Sequence, residues 1–350
     1  IIGEIFSVNY NGYEYKNLKV SGILKDQLFD GSVTSKDQNF DVAFKGLADL
    51  SGTTNEFKFV ASVNNIDLNR LNFVSRDSIS VFKGNIVADM SGNSLYDLAG
   101  EISFYKTNYT NQNDSYYFDD FTVTSEFKEE ERIITVNSPD IITGSLKGKY
   151  RVRELGNLVK NSIGSIYTNY KPEPVAEGQY VDFNFKIYNK IIEVFFPKIE
   201  FGSNTFIKGS IVADEGDFKL NFNSPKINAN GNIFDNIQIQ IDNKNPLYNT
   251  YVEVQNIESN IYDVTDFSLI NTKINDTLFF RTEFKGGKEF NDIYKESESP
   301  ETYYENIIYD LRDYQPEVIM EANNISKRVK AKRNIRSEDG LLIFSKKGDI

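Results

Sequence analysis

The chain has 350 residues and a formal net charge of −12, and it contains neither cysteine nor histidine. The acidic balance argues against nucleic acid as a partner and against electrostatic docking on an anionic membrane, since both need a basic face. Without Cys and His the chain has no disulfide, thiol nucleophile, zinc–thiolate centre or histidine-based catalytic triad, so we predict no enzymatic activity, no catalytic residue, no metal site and no cofactor.

Alternating apolar residues dominate the chain from its start. Leu18 and Val20 form the first clear pair, and Phe57 and Phe59 belong to a longer run of the same kind. A period of two places these side chains on one side of a β-strand. Turn clusters such as Asp30-Gly31 separate the segments roughly every 10 to 14 residues. The sequence therefore predicts a mostly β protein.

Three short phrases recur along the chain. The phrase Phe82–Asp89 returns as Ile207–Asp214 with its alternate apolar positions kept. A second phrase has an aromatic residue, two polar residues and then alternating apolar residues, and it occurs three times: Tyr15–Val20, Phe118–Val123 and Phe234–Ile239. In a third, an Asn-Ser-Pro sequence follows an apolar residue, and we expect Pro139 and Pro225 to end strands. The spacing is irregular, which indicates an irregular β repeat rather than a strict solenoid.

One helix is predicted between the strands. Val152, Leu155, Leu158, Val159, Ile163 and Ile166 fall at helical spacing, and Pro172 follows them. We interpret this helix as a cover over one edge of the sheet. Beyond it, Ile192, Val194 and Phe196 alternate like another strand.

The alternating strand pattern of the sequence ends near residue 290. We expect residues 1–290 to form one β region and residues 291–350 a divergent segment with a linker, a helix over Thr302–Tyr314 and a basic tail that includes Arg333 and Arg336. The chain begins Ile1-Ile2-Gly3, without Met, a signal peptide or a long apolar run. We interpret it as a piece of a longer protein with its targeting segments elsewhere.

Several segments resemble the conserved β region of the TamB family, within the AsmA-like group of bridge-like lipid transfer proteins, in the form typical of Bacteroidota. The resemblance covers roughly residues 1–290 and is carried by Tyr116–Ser125, Asn161–Tyr170, Asp182–Tyr188 and Arg281–Gly287. It implies an elongated, curled antiparallel sheet, a β-taco or half-pipe groove with an apolar lining and one or two short helices.

The resemblance also implies a function and a location. The protein would be anchored in the inner membrane by an N-terminal helix absent from this chain, cross the periplasm and meet an outer-membrane barrel of the TamA or Omp85 class. It would conduct phospholipids to the outer membrane and assist outer-membrane protein assembly.

The alternating positions predict the lining of the groove. The expected lining residues are Leu18, Val20, Phe44, Phe57, Phe59, Phe82, Ile86, Phe104, Val123, Phe185, Ile187, Val194, Phe196, Ile211, Leu220, Ile237 and Ile239. Two other interpretations stay open at this stage. An outer-membrane β-barrel also has alternating strands, although here Phe and Tyr are spread throughout rather than gathered into girdles. A structural or adhesin-like β-solenoid or sandwich would bury the same side chains completely.

Overall fold

The computed structural model describes residues 1–94, 96–167, 170–259, 263–274, 277–285, 333–338 and 341–346. These residues are mostly strand, paired antiparallel, with two short α-helices, which confirms the predicted fold class. The chain divides into two compact units: unit 1 comprises Ile1–Val152 and Phe185–Pro197, and unit 2 comprises Arg153–Asn184 and Lys198–Ile350.

Unit 1 is built from consecutive antiparallel strands and one helix. The strands are β1 (Ile2–Tyr10), β2 (Tyr13–Lys25), β3 (Leu28–Asp37), β4 (Phe40–Asp49), β5 (Glu56–Asp67), β6 (Ser80–Ser91), β7 (Ala99–Asn111), β8 (Ser115–Phe118), β9 (Phe121–Lys128), β10 (Glu131–Asn137) and β11 (Ile142–Lys149), and the helix is α2 (Asn189–Phe195). Each strand pairs with the next along the chain, except that β8 and β9 both pair with β7. Short polar turns make this meander possible, since antiparallel neighbours need only tight connections.

A 3₁₀ turn, Val152–Glu154, contains the first boundary between the units and leads into helix α1 (Leu155–Gly164) of unit 2. The strands of unit 2 are β12 (Tyr180–Ile187, within which the unit boundary falls), β13 (Ile199–Phe201), β14 (Thr205–Val212), β15 (Asp217–Ala229), β16 (Asn232–Asp242), β17 (Thr250–Glu258), β18 (Val264–Ile274), β19 (Thr277–Lys285), β20 (Arg333–Glu338) and β21 (Leu341–Lys346). From β14 to β19 each strand again pairs with the next, and β21 joins β19.

The predicted helix is present, and a second helix, α2, lies where a strand was expected. Helix α1 occupies the core of the predicted segment and buries Leu158. The alternation of Ile192, Val194 and Phe196 predicted a strand, and this was wrong. Residues 189–195 are helical, and the end of α2 is held by hydrogen bonds from side chains far away in the sequence, a context that overrides the local β preference.

Three further expectations need correction. Asp30 and Gly31, expected in a turn between strands, lie within β3 and pair with Ile23 and Gly22 of β2. Pro139 follows the end of β10 as predicted, but Pro225 lies inside β15. It is tolerated there because position 225 has no partner in the pairing between β15 and β16, so no ladder hydrogen bond is lost. Arg333 and Arg336 lie on β20 rather than in a tail, whereas the predicted linker, the helix over Thr302–Tyr314 and residue Lys327 lie outside the described residues.

Candidate functional site

The antiparallel register gathers the apolar side chains of unit 1 on one side of the sheet. Residues paired directly across two strands share a face, and one continuous row runs across seven strands: Val20, Val33, Phe44, Ala61, Ile86, Phe104 and Phe121. A neighbouring row includes Phe59, Ala88, Ile102, Val123 and Val136. We call this surface the apolar face of unit 1.

The opposite face of the same strands is polar. Ser62 Oγ donates to Asn85 Oδ1 at 2.8 Å, and Lys58 Nζ lies 2.9 Å from Asp89 Oδ2 across β5 and β6. Both ion-pair side chains are about two-thirds exposed, so this face is in contact with solvent. Each strand therefore separates an apolar surface from a polar one.

Side chains on the apolar face of unit 1 pack against neighbouring side chains of the same sheet. Ring contacts link Phe44 to Phe59 at 4.9 Å and Phe104 to Phe121 at 4.5 Å between centroids. Nevertheless these four rings stay half-buried, because their neighbours lie within the same sheet. A sandwich core seals its side chains against a second layer. On this face Val42, Val63 and Ala88 are buried, whereas the four rings remain partly exposed.

Unit 2 repeats this arrangement. One row runs Ile207, Phe222, Ile239, Val252 and Leu269, and the next includes Leu220 and Ile241. On the other side of the same strands the row is Lys208, Asn221, Gln240 and Tyr251. We call the first surface the apolar face of unit 2.

The second recurring sequence phrase marks a bend in each sheet. In unit 2, four neighbouring strands each contain two consecutive residues that do not lie on the apolar face, and these pairs of residues are aligned from strand to strand. They are Pro225-Lys226, Asp235-Asn236, Gln255-Asn256 and Thr265-Asp266. Asn236 and Asp266 have φ near +50°, a conformation that breaks the pleat and that Asn and Asp adopt more readily than most residues. In unit 1 Asn17 has φ 56° and Lys106 has φ 51° at the corresponding breaks. We call this line the bend line.

Aromatic contacts across the bend line show which side of each sheet lies inside the bend. Phe82 and Phe104 lie on opposite sides of the bend line, yet their ring centroids are 6.5 Å apart. In unit 2 Phe201 and Phe222 meet across the line at 5.9 Å. Because both pairs lie on the apolar side, the apolar face of each unit is on the inner side of its bend.

Glycines keep part of the apolar face of unit 1 free of side chains. Gly22, Gly31 and Gly46 pair in sequence across β2, β3 and β4. A Cβ on Gly22 would lie 2.4 Å from the carbonyl oxygen of Asp30, closer than real Cβ contacts allow. These strands approach so closely on this side that only glycine fits.

A buried arginine ends the apolar face of unit 1. Arg132 lies opposite Phe127 and Gly148, and its Nε donates to Ser125 Oγ at 2.9 Å while a terminal nitrogen donates to the Leu98 carbonyl at 2.8 Å. Burial lowers the pKa of the Arg132 guanidinium from its ordinary value. A hydrogen-bonded cation is a poor surface for hydrocarbon, so the apolar path ends at this row.

Each helix lies at an edge of its unit's sheet. Helix α1 packs on β14 and β15, where Leu158, Ile211 and Phe218 are all less than 7% exposed. Asn243 Nδ2 donates to Ser165 Oγ at 2.8 Å, and Lys273 Nζ donates to the carbonyls of Ser165 and Tyr167 at 3.2 Å each. The sequence analysis expected α1 to cover one edge of the sheet, and α1 lies over the ends of β14 and β15 next to the turn that joins them.

Helix α2 is attached to unit 1 mainly through polar contacts. Tyr116 Oη donates to the Glu193 carbonyl at 3.4 Å, and Arg76 and Asn111 donate to the Val194 carbonyl at 3.5 and 3.4 Å. Cations and donors at a helix C-terminus satisfy carbonyls that have no partner within the helix. Val194 is the one residue of this helix that is buried.

Arg76 also belongs to a buried polar network. Its guanidinium pairs with Asp77, whose side chain is 4% exposed, and Tyr109 Oη donates to Asp77 Oδ2 at 2.7 Å. The hydrogen bond from Arg76, helped by those from Tyr109 and Gln112, holds the pKa of Asp77 below its ordinary value although burial opposes this. Burial raises the pKa of Tyr109. The network fixes the loop between β5 and β6 against β7.

The predicted lining residues fall into three groups. Nine lie on the apolar face of unit 1: Leu18, Val20, Phe44, Phe57, Phe59, Phe82, Ile86, Phe104 and Val123. Four lie on the apolar face of unit 2: Ile211, Leu220, Ile237 and Ile239. The others are Phe185 and Ile187, half-buried at alternate positions of β12, and Val194 and Phe196.

Val194 and Phe196 do not line a strand surface. Val194 is buried beneath α2, and Phe196, just after the helix, is 57% exposed. Conversely, Val33, Ala61, Ala88 and Ile102 lie on the apolar face of unit 1 but were left out of the predicted lining, although the last three alternate with polar residues in the sequence. Their pairing partners identify them, but register is visible only in the folded sheet.

Comparison with protein-family models, with characterised proteins and with solved structures found no match to this chain. Among the described residues, no helix is long and apolar enough to cross a membrane. The same part of the chain contains no group of three or more acidic side chains placed to hold a metal ion. The function is therefore argued from the two apolar faces.

Proposed function

We propose that the apolar faces of the two units bind the acyl chains of phospholipids and conduct them along the sheet. The single observation that carries this proposal is that each face is apolar across many paired strands and that one full row of it, from Val20 to Phe121 in unit 1 and from Ile207 to Leu269 in unit 2, stays partly exposed. The polar face on the other side of the strands keeps the sheet in contact with water.

The dimensions and energies fit an acyl chain. Unit 1 has about ten strand widths, on the order of 45–50 Å along the hydrogen-bonding direction. One acyl chain spans about half of a ~30 Å hydrocarbon core, which corresponds to about three strands. Exposing a 16-carbon chain to water costs about 13 kcal/mol at ~0.8 kcal/mol per CH₂. An uninterrupted apolar surface removes most of that cost without any specific contact.

The wider setting of this activity rests on the resemblance to the TamB family. On that basis we propose that the lipids move through the periplasm between the inner and outer membranes, with an anchor in the inner membrane and an Omp85-class barrel such as TamA as the outer-membrane partner. Assistance in outer-membrane protein assembly belongs to the same proposal.

Two adjacent residues of β6 give a matched test. Ile86 lies on the apolar face of unit 1, and Val87 points to the opposite face and is 38% exposed. Ile86→Asp places a charge in the acyl path, whereas Val87→Asp places the same charge in solvent. We expect Ile86→Asp to reduce lipid bound to the purified protein at least about tenfold, a difference of ~1.4 kcal/mol, and Val87→Asp to change it little.

The measurement is mass spectrometry of lipid extracted from each purified variant, with circular dichroism as a check that the sheet is folded. Photo-crosslinking gives a second test that does not depend on stability. A photoreactive residue at Phe59 should label lipid and one at Val60 should not. Equal labelling from both positions, or equal lipid in both Asp variants, would contradict the proposal.

A further inference from the structure

Strand β1 forms a free edge of the unit 1 sheet. Among the described strands it pairs with β2 alone, and all nine of its residues are exposed, with Ile2 at 91% and Phe6 at 82%. The outer side of such a strand presents a row of backbone N–H and C=O groups that another strand can pair with. We call this row, together with the side chains of β1, the free edge of unit 1.

Few of the usual protections against strand pairing are present on the free edge. The sequence of β1 has neither proline nor lysine, and its one charged residue is Glu4. Lys19 Nζ on the neighbouring strand lies 3.0 Å from Glu4 Oε1 and offsets its charge. Edge strands are normally blocked by charged side chains, proline or short length, so this edge is open to a further strand.

The apolar face and the bend line both reach β1. Phe6 lies opposite Asn17, whose positive φ marks the bend line. On the apolar side Ile5 precedes the line, and Val8, which pairs with Tyr15, follows it. A half-turn of β1 in the plane of the sheet therefore exchanges Ile5 with Val8 and leaves the bend line in place.

Before the bend line, the direction of the backbone groups follows from the contacts of the first residue. Ile1 and Gly22 exchange two hydrogen bonds, so Ile1 directs its N–H and C=O towards β2. Successive residues of a strand direct these groups to opposite sides. Ile5 therefore directs its backbone groups to β2, whereas Ile2 and Glu4 direct theirs outward, to the free edge.

Beyond the bend line the alternation is reversed. Lys16 directs its backbone groups away from β1, since its N–H donates to Asp37 Oδ2 at 3.2 Å and its C=O accepts from Ser35 Oγ at 3.1 Å, both on β3. Its partner on β1, Ser7, therefore directs its N–H and C=O outward, and so does Asn9. The outward backbone groups thus have the same half-turn symmetry as the side chains.

From this symmetry we infer that two copies of the chain pair antiparallel through β1, about a twofold axis that lies at the bend line and is perpendicular to the sheet. Glu4 exchanges backbone hydrogen bonds with Asn9 of the partner subunit, and Ile5 lies opposite the partner's Val8. Because Glu4 is the one charged residue of β1, no like charges lie opposite each other. The axis keeps both apolar faces on the same side, so they join into one apolar surface across the two copies.

Cysteine cross-linking tests the register, because the chain has no cysteine of its own. Ile5→Cys and Val8→Cys are purified separately and then mixed under mild oxidation. In the inferred register these positions form a non-hydrogen-bonded pair with Cα atoms about 4.5 Å apart, within reach of a disulfide. Two copies of the same position are three residues apart along the strand, about 10 Å, which is too far. We expect a disulfide dimer from the mixture and little from either variant alone.

Charge changes test the same contact without a covalent link, by analytical ultracentrifugation of the full chain over a range of concentrations. Strand β1 contributes nine residues per copy, fewer than the ~20–30 of a standard interface, so we expect a dissociation constant on the order of micromolar. Asn9→Lys faces the partner's Glu4 and should tighten the dimer about fivefold over its two symmetric contacts, and Asn9→Asp should weaken it by a similar factor. Asn113→Lys and Asn113→Asp, in the turn between β7 and β8, are matched controls for net charge and should change the association little.

The two charge changes at position 9 keep the test decisive, because misfolding cannot produce a tighter Asn9→Lys dimer. Disulfide formation in all combinations alike, or equal effects at positions 9 and 113, would overturn the inferred register. A chain that stays monomeric at every concentration would overturn the dimer and leave the free edge to a strand of another protein.

Discussion

Unit 1 and unit 2 present apolar faces of the same design, but they hold their edge helices by different chemistry. In unit 2, α1 packs Leu158 onto Ile211 and Phe218, and all three are nearly inaccessible to water. In unit 1, α2 buries Val194 and is otherwise held by donors to its last carbonyls and by the ion pair of Lys190 with Asp140. Apolar contacts resist salt and acid, whereas polar ones depend on both. The attachment of α2 to unit 1 should therefore respond more strongly to salt and pH than the attachment of α1 to unit 2.

The largest expected effect comes from the apolar contact of α1. Leu158→Ala leaves a cavity at a side chain that is 1% exposed, and we expect it to lower the free energy of unfolding of unit 2 by about 3 kcal/mol. The matched change on the outer side of the same helix is Val159→Ala, at a residue 48% exposed, which should cost less than ~0.5 kcal/mol. Hydrogen exchange of peptides from β14 and β15 measures both. Similar exchange in the two variants would show that α1 is not packed as described.

A smaller effect, with a distinct pH signature, is expected from the buried network of unit 1. Asp77→Asn removes the charge that Arg76 and Tyr109 stabilise, and the loss of charged hydrogen bonds should cost about 2 kcal/mol. Because the pKa of Asp77 is lower in the folded state, its contribution is complete above the unfolded value of 3.8 and is lost as the pH falls through the folded value.

Unfolding of the wild type and of Asp77→Asn between pH 2 and pH 7 measures this contribution. The difference in stability between the two proteins should be constant near neutral pH and should shrink as the pH falls below about 3.8. A difference that stays constant down to pH 2 would exclude the ionised network as its source.

The sequence was sufficient to predict the class of fold and to place Phe57, Phe59 and Leu220, among others, on one face of the sheet. Phe57 and Phe59, or Leu220, alternate with polar residues, and a period of two fixes which side chains share a face whatever the tertiary structure. It also identified the recurring phrase at Tyr15–Val20 and Phe234–Ile239 but not its meaning. The bend depends on Asn17 and Asn236 adopting positive φ, and Asn is compatible with many other conformations.

Contacts between residues distant in the sequence could not be predicted. Helix α2 depends on Arg76 and Asn111, which are 118 and 83 residues from Val194. Without those donors, the local pattern of Ile192, Val194 and Phe196 is that of a strand.

The smallest expected effect sharpens the comparison of the two helices. Lys190 Nζ pairs with Asp140 and donates to the Tyr117 carbonyl at 2.7 Å, and its side chain is 36% exposed. Lys190→Met keeps the length of the aliphatic side chain but removes the charge, so it should cost less than ~1 kcal/mol, as partly exposed ion pairs do. In the wild type, added salt should speed hydrogen exchange in α2 more than in α1, because screening acts on exposed charges and little on the apolar packing of Leu158, although Lys273 also donates to carbonyls at the end of α1. In Lys190→Met the salt effect on α2 should fall. If salt acts equally on both helices in both proteins, the two edges are not held by different chemistry.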